Sequence, residues 1–356
     1  MSELRSSLAF VGTYTSNESE GIYGYRLNSE AGEFEALGTT MVGDNPSFLT
    51  IHPSGEFLYA VNETDPGNVA ACEVDQRTGE LSTLNRRPSG ASGPCHCSVD
   101  ATGQFLLVAH YGGGSISMLP IEDDGHLGNP TELIEHDGTH IDSSDPPTPR
   151  PHAAIPGPDN RFVYVPDLGL DEVVVYKLDL ERGRLSRASA VQMSAGTGPR
   201  HLVFHPNNQV GYVINEPDSS LTILDRDTRT GELNFVESLR TTPSTFDGEN
   251  HSADVHVHPS GRWAYGSNRG HDSIAVFDIK DENGRLEPMG YVSTGGKYPR
   301  NIAIDPTGRF LVAENRHTDD LVLFQITDEG HLKATGEKTL VPDPSCMQFL
   351  ADSSPE

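Results

Sequence analysis

The sequence predicts an all-β, seven-bladed β-propeller with four antiparallel strands per blade, formed as a single domain by residues 1–356. Three observations lead there. A strand–turn–strand unit recurs along the chain, a second unit with a turn glycine recurs seven times, and the first unit is one copy short. Such periodicity is the mark of a repeat architecture, and radial repetition protects sheet edges that a flat sheet would expose.

The first unit reads SFLTIHPSGEFLYAVNE from Ser47, CHCSVDATGQFLLVAHY from Cys95, RHLVFHPNNQVGYVINE from Arg200, ADVHVHPSGRWAYGSNR from Ala253 and RNIAIDPTGRFLVAENR from Arg300. A looser copy, HAAIPGPDNRFVYVPDL, starts at His152. The second unit is an alternating strand, a glycine turn and a further strand, as in VAACEVDQRTGELSTL from Val69. Its glycines are Gly32, Gly79, Gly125, Gly183, Gly231, Gly284 and Gly330, mostly about 47 residues apart, the length of one four-stranded blade. Seven second units against six first units require one blade built from both ends of the chain. Ser345 to Leu350 is expected as its innermost strand, beside Leu8 to Tyr14, Ile22 to Leu27 and the segment after Gly32. The long interval from Gly125 to Gly183 holds HDGTHIDSSDPPTPRPH, whose prolines exclude a regular strand and suggest a loop at the channel mouth.

Composition narrows the function. A formal charge of −27, with no basic run to offset it, opposes nucleic acid and anionic lipid as partners. MSELRSSLAF has no signal core and no long apolar run follows, so a cytoplasmic protein without membrane contact is expected; oligomeric state is not readable. The four cysteines form no disulfide framework. Cys95 and Cys97 are expected as free thiols on one face of a strand with His96 on the other, and no metal or other cofactor is implied.

The first two strands of a blade are antiparallel, so the residue leading into the first and the residue trailing the second share one face of the ring. The leading residues are Ser47, Cys95, His152, Arg200, Ala253, Arg300 and Ser345; the trailing ones are Tyr14, Glu63, Tyr111, Leu168 with Asp167 beside it, Glu216, Arg269 and Arg316. Four arginines on one ring reverse the charge of a chain with 52 acids and 25 bases. They could pair with Glu63, Glu216 and Asp167 merely to hold the blades in register. Facing a channel, they read better as an anion pocket, because the planar guanidinium suits phosphate or carboxylate. Glu216 and His152 are the candidate proton acceptors.

These repeats, together with GPRHLVFHP, YVINE and the opening FVGTYTS and GIYGYRL, resemble the lactonase family of seven-bladed propellers over essentially the whole chain. That family includes bacterial 6-phosphogluconolactonases and fungal carboxy-muconate cyclases. The resemblance implies an active centre of His152 in PRPHAAI, Arg200 in GPRH, Glu216 in INE and Arg269 in SNRG or Arg300 in YPRN. It implies 6-phospho-D-glucono-1,5-lactone as the substrate, and the chemistry of the residues then suggests that Glu216 or His152 activates water, Arg200 holds the oxyanion, and Arg269, Arg300 or Arg316 anchors phosphate. His201, Tyr14 and Glu63 join them as substrate-binding candidates. No Gly-x-Ser-x-Gly elbow supports an acyl-enzyme. The rival readings are a muconate-type lactonising cyclase and a non-catalytic binding platform.

Overall fold

The computed structural model describes residues 6–16, 18–138 and 148–350. It contains seven four-stranded antiparallel sheets arranged as the blades of a propeller. Blade 1 closes the ring as the repeat count requires: the C-terminal strand Pro344–Leu350 lies innermost and pairs antiparallel with Ser6–Thr13, which is followed outward by Ile22–Asn28 and Glu33–Thr40. Blades 2 to 7 then follow in chain order.

Each blade grades from apolar to polar for a reason visible in its strands. Second strands such as Phe105–His110 are buried at every residue, being covered by neighbouring blades on both faces. Outermost strands such as Leu233–Arg240 are exposed or half-buried at every residue after the first. The core is therefore seven wedges rather than one mass. Leu8, Phe10, Leu49, Leu58 and Cys346 fill the wedge that joins blade 1 to blade 2, and Ala9, Val11, Phe310, Val312 and Met347 the wedge that joins it to blade 7. Both flanks of the closing blade thus depend on its C-terminal strand.

The repeated turn glycines lock neighbouring blades. At Gly330 φ is +83° and an added Cβ would stand 2.3 Å from the indole nitrogen of Trp263 in the preceding blade; at Gly125 φ is +81° and a Cβ would meet the Phe57 ring at 2.3 Å. Tyr59, Tyr212 and Tyr265 donate their hydroxyls to the Gly125, Gly284 and Gly330 carbonyls at 3.2, 2.8 and 2.9 Å. The expected mouth loop falls largely on residues 139–147, outside the described residues. Its two flanks converge on buried Asp167, which accepts from His136 Nδ1 at 2.8 Å and from the Arg150 amide at 2.7 Å.

Candidate active site

At one end of the channel a pocket of about 340 Å³ is lined by Tyr14, Glu63, Cys95, Tyr111, His152, Glu216, Arg269, Tyr298, Arg300 and Arg316. Seven of the candidate residues meet here. The other two, Arg200 and His201, lie buried beneath it.

What aims several of these side chains is a distortion that the repeats conceal. In blade 3 Pro94 pairs with His110 and His96 with Ala109, so Cys95 is an extra residue. Arg200 is skipped likewise between Pro199 and His201, and Arg300 between Pro299 and Asn301. Such β-bulges break the alternation and re-aim a side chain. They correct the expectation that Cys95 and Cys97 share a face. The Cys95 thiol lies against the Pro151 and His152 carbonyls of blade 4, whereas Cys97 lies against the Phe48 and Tyr59 carbonyls of blade 2. All four cysteines are free and buried, and burial pushes the Cys95 thiol up to about 12.

The arginines differ sharply in what they already hold. Glu216 Oε2 stands 3.1 Å from Arg200 Nε and 2.8 Å from Arg269 Nη2. Burial would raise its pKa, but Arg269 and Arg200 overcome this and lower it. Arg200 also donates through Nη1 to the Ala253 carbonyl, and Arg269 donates to the His251 and Ser252 carbonyls at 3.1 and 3.2 Å. Burial and the charges of Arg269 and Arg300 bring the Arg200 guanidinium down to about 10. Arg316 Nε donates to Asp343 at 2.6 Å. The Arg300 guanidinium forms no ion pair or hydrogen bond among the described residues. Its guanidinium lies 5.4 Å from the centre of the Tyr14 ring, over which Arg316 also sits at 4.1 Å. Burial works against the Arg300 charge, but Tyr14, Glu63 and Glu216 raise its pKa above the ordinary value.

His152 is 5% exposed, with Nδ1 turned toward the Cys95 sulfur at 3.9 Å. Burial, then the charges of Arg200, His201 and Arg300, hold its pKa well below the usual imidazole value, so the ring is neutral near pH 7. No hydrogen bond to another described residue occupies its Nε2. Beneath it, His201 Nδ1 donates to Asp254 at 2.7 Å, and burial brings His201 down to about 4. The Asp254 carboxylate also stands 3.1 Å from His256 Nε2 and accepts from the Ile302 amide at 3.2 Å. His201 therefore buttresses the floor instead of lining the pocket. Among the described residues no group of three His, Cys, Asp or Glu side chains is arranged to hold a metal ion.

Tyr298 was not legible from the repeats. Its φ is +63°, a strained conformation for a bulky residue, and it stacks on His317 with ring centres 4.0 Å apart. Held there by a 2.8 Å bond from its amide to Asp272, it forms the wall beside Arg269 and leads into the bulge at Arg300. Tyr111 carries Arg150 on its outer side, with the guanidinium 4.9 Å from the ring centre.

Comparison with known proteins places the fold in a family. Residues 8–349 match the family described as lactonase, 7-bladed beta-propeller. A 6-phosphogluconolactonase of Bacillus subtilis is 35% identical over 298 residues, covering 83% of this chain and 84% of its own. Among solved structures, a putative 6-phosphogluconolactonase of Bacteroides fragilis superposes with a TM-score of 0.90 at 30% identity, covering 98% of this chain and 99% of that one. A periplasmic gluconolactonase of Pseudomonas aeruginosa gives a TM-score of 0.91 at 28% identity, covering 97% and 99%. From the repeats, the ring and these likenesses together, the chain belongs to the seven-bladed β-propeller lactonase family.

Proposed function

We propose that the protein hydrolyses 6-phospho-D-glucono-1,5-lactone to 6-phosphogluconate by direct attack of an activated water. The observation that carries this reading is the pairing, in one pocket, of an uncommitted guanidinium with a neutral imidazole. His152 Nε2 takes a proton from water as the water oxygen bonds to the lactone carbonyl carbon. The electron pair of the C=O bond moves to the oxygen, whose negative charge Arg300 receives. When the tetrahedral intermediate collapses, the ring C–O bond breaks and the protonated imidazole returns its proton to the departing ring oxygen. The product is a carboxylic acid, which ionises.

The sequence leaves Glu216 and His152 as alternative bases and gives Arg200 the oxyanion. The ion pairs favour different assignments. Glu216 is held by two arginines and its lowered pKa makes it a poor proton acceptor, so its part is to fix Arg200 and Arg269. Arg200 is buried and engaged, which passes the oxyanion to Arg300. Arg316, with Nε fixed by Asp343 and its remaining donors free of that bond, anchors the phosphate over Tyr14.

The test is hydrolysis of 6-phosphogluconolactone and unphosphorylated gluconolactone by the purified protein, each measured above its spontaneous rate. Higher kcat/KM on the phosphorylated lactone is expected. Equal values would remove the phosphate assignment, and no rate above background on either would remove the catalytic one.

A further inference from the structure

Arg300 is not the only charge in the pocket left facing a gap. On the wall formed by blades 1 and 2, the Ser47 and Tyr14 hydroxyls donate to Glu63 at 2.6 and 2.7 Å, and both bonds end on the same oxygen, Oε2. The carboxylate is thereby fixed in orientation with Oε1 unused by either bond. Glu63 also contributes to the raised pKa of Arg300, yet the two form no ion pair. A carboxylate and a guanidinium that sense each other in one pocket without closing onto each other leave a slot of defined polarity between them. One side of it offers hydrogen-bond donors and positive charge, the other an acceptor and negative charge.

We propose that Glu63 is a specificity-determining residue that selects lactones bearing ring hydroxyls: Oε1 accepts a hydroxyl hydrogen bond from the substrate, and the carboxylate charge rejects lactones with a second carboxylate at that place. The inference rests on the lactonase reading above and deepens it. A hydroxyl bonded to a carboxylate gains a charge-assisted hydrogen bond, whereas a carboxylate brought to the same oxygen meets a like charge in a partly desolvated site. Attraction and repulsion at one atom therefore separate polyhydroxy sugar lactones from the polycarboxylate lactones that the arginines alone would accept equally well. Ser47 and Tyr14 are the residues that set the direction of Oε1.

Glu63→Gln tests this, since the amide oxygen can still accept from Tyr14 and Ser47 while the charge is lost. With 6-phosphogluconolactone, KM should rise about tenfold and kcat stay within about threefold, because uniform binding is what is lost. Inhibition by carboxymuconolactone, a lactone with two carboxylates, should strengthen about tenfold in the same variant. Unchanged KM together with unchanged inhibition would overturn the inference. The native protein supplies a second measurement should the variant fail to fold. Its kcat/KM should be at least tenfold higher on gluconolactone than on δ-valerolactone, which lacks hydroxyls and has similar ring chemistry; equal values would likewise overturn it. Absence of lactone turnover by the native protein would instead refute the lactonase reading itself.

Discussion

The two faces of the propeller are built on opposite rules. On the face away from the pocket the blades repeat one another's contacts: His52, His205 and His258 reach the Gly103, Gly261 and Gly308 carbonyls of the next blade at 3.1, 2.9 and 2.8 Å. Asp100 and Asp305 tie their turns by accepting from the Phe105 and Phe310 amides at 2.8 and 2.7 Å. On the pocket face equivalent positions carry cysteine, histidine and arginine, five leading strands are bulged, and Tyr298 takes a left-handed φ. The repeating face secures the ring, and the irregular face uses that rigidity to hold charges that would not otherwise stay together. If this division is right, substitutions on the two faces should separate into losses of stability and losses of rate.

The largest expected effect is on the pocket face. Arg300→Ala removes the guanidinium that meets the developing oxyanion, and kcat/KM should fall by about 10²–10³ while thermal unfolding changes little. A loss of Tm with full activity would place Arg300 among the structural residues.

Glu216→Gln should cross the division. It strips the anion from between Arg200 and Arg269, whose side chains are each 3% exposed, and removing one partner from such a buried arrangement costs about 3 kcal/mol. Denaturant titration should show a lower midpoint, and high salt should recover part of it.

Acid should weaken the fold before it protonates carboxylates. Burial lowers His201 and His110 to about 4, below an unfolded value near 6.5. Below pH 6.5 the unfolded chain therefore binds protons that the folded chain refuses. Their stabilisation is complete above that pH and declines as pH falls toward 4, by about 2 kcal/mol for each histidine at pH 5. Melting curves between pH 7 and pH 5 would check the sign.

On the repeating face, Gly330→Ala forces a side chain into a φ of +83° against Trp263. About 2 kcal/mol of stability should be lost, and KM for the lactone should be unchanged. A changed KM would mean that the outer locks are coupled to the pocket.

The sequence made the ring legible because strand order and antiparallel pairing follow from counting repeats. Counting also placed Ser345–Leu350 in blade 1 and brought Tyr14, Glu63, His152, Glu216, Arg269, Arg300 and Arg316 to one face. It could not supply the partner of each charge. That Glu216 is shared by Arg200 and Arg269 while Arg300 has no ion-pair partner among the described residues depends on side-chain directions set by the bulges, and a bulge leaves no composition signal beyond the recurrent proline before Cys95, Arg200, Arg300 and Ser345. The same distortion separated Cys95 from Cys97. Tyr298 was missed because it lies in the connection ahead of a repeat, where alignment of the strands says nothing.

In the proposed reaction a neutral His152, rather than Glu216, accepts the proton of the attacking water. The direct measurement is kcat for 6-phosphogluconolactone with His152→Asn and Glu216→Gln side by side, each checked for an intact fold by circular dichroism. His152→Asn should lower kcat about a hundredfold or more with little change in KM, and Glu216→Gln should lower it by a smaller factor with a rise in KM as Arg269 loses its anchor. Full kcat in His152→Asn alongside abolished kcat in a folded Glu216→Gln would contradict the account and return the base to Glu216.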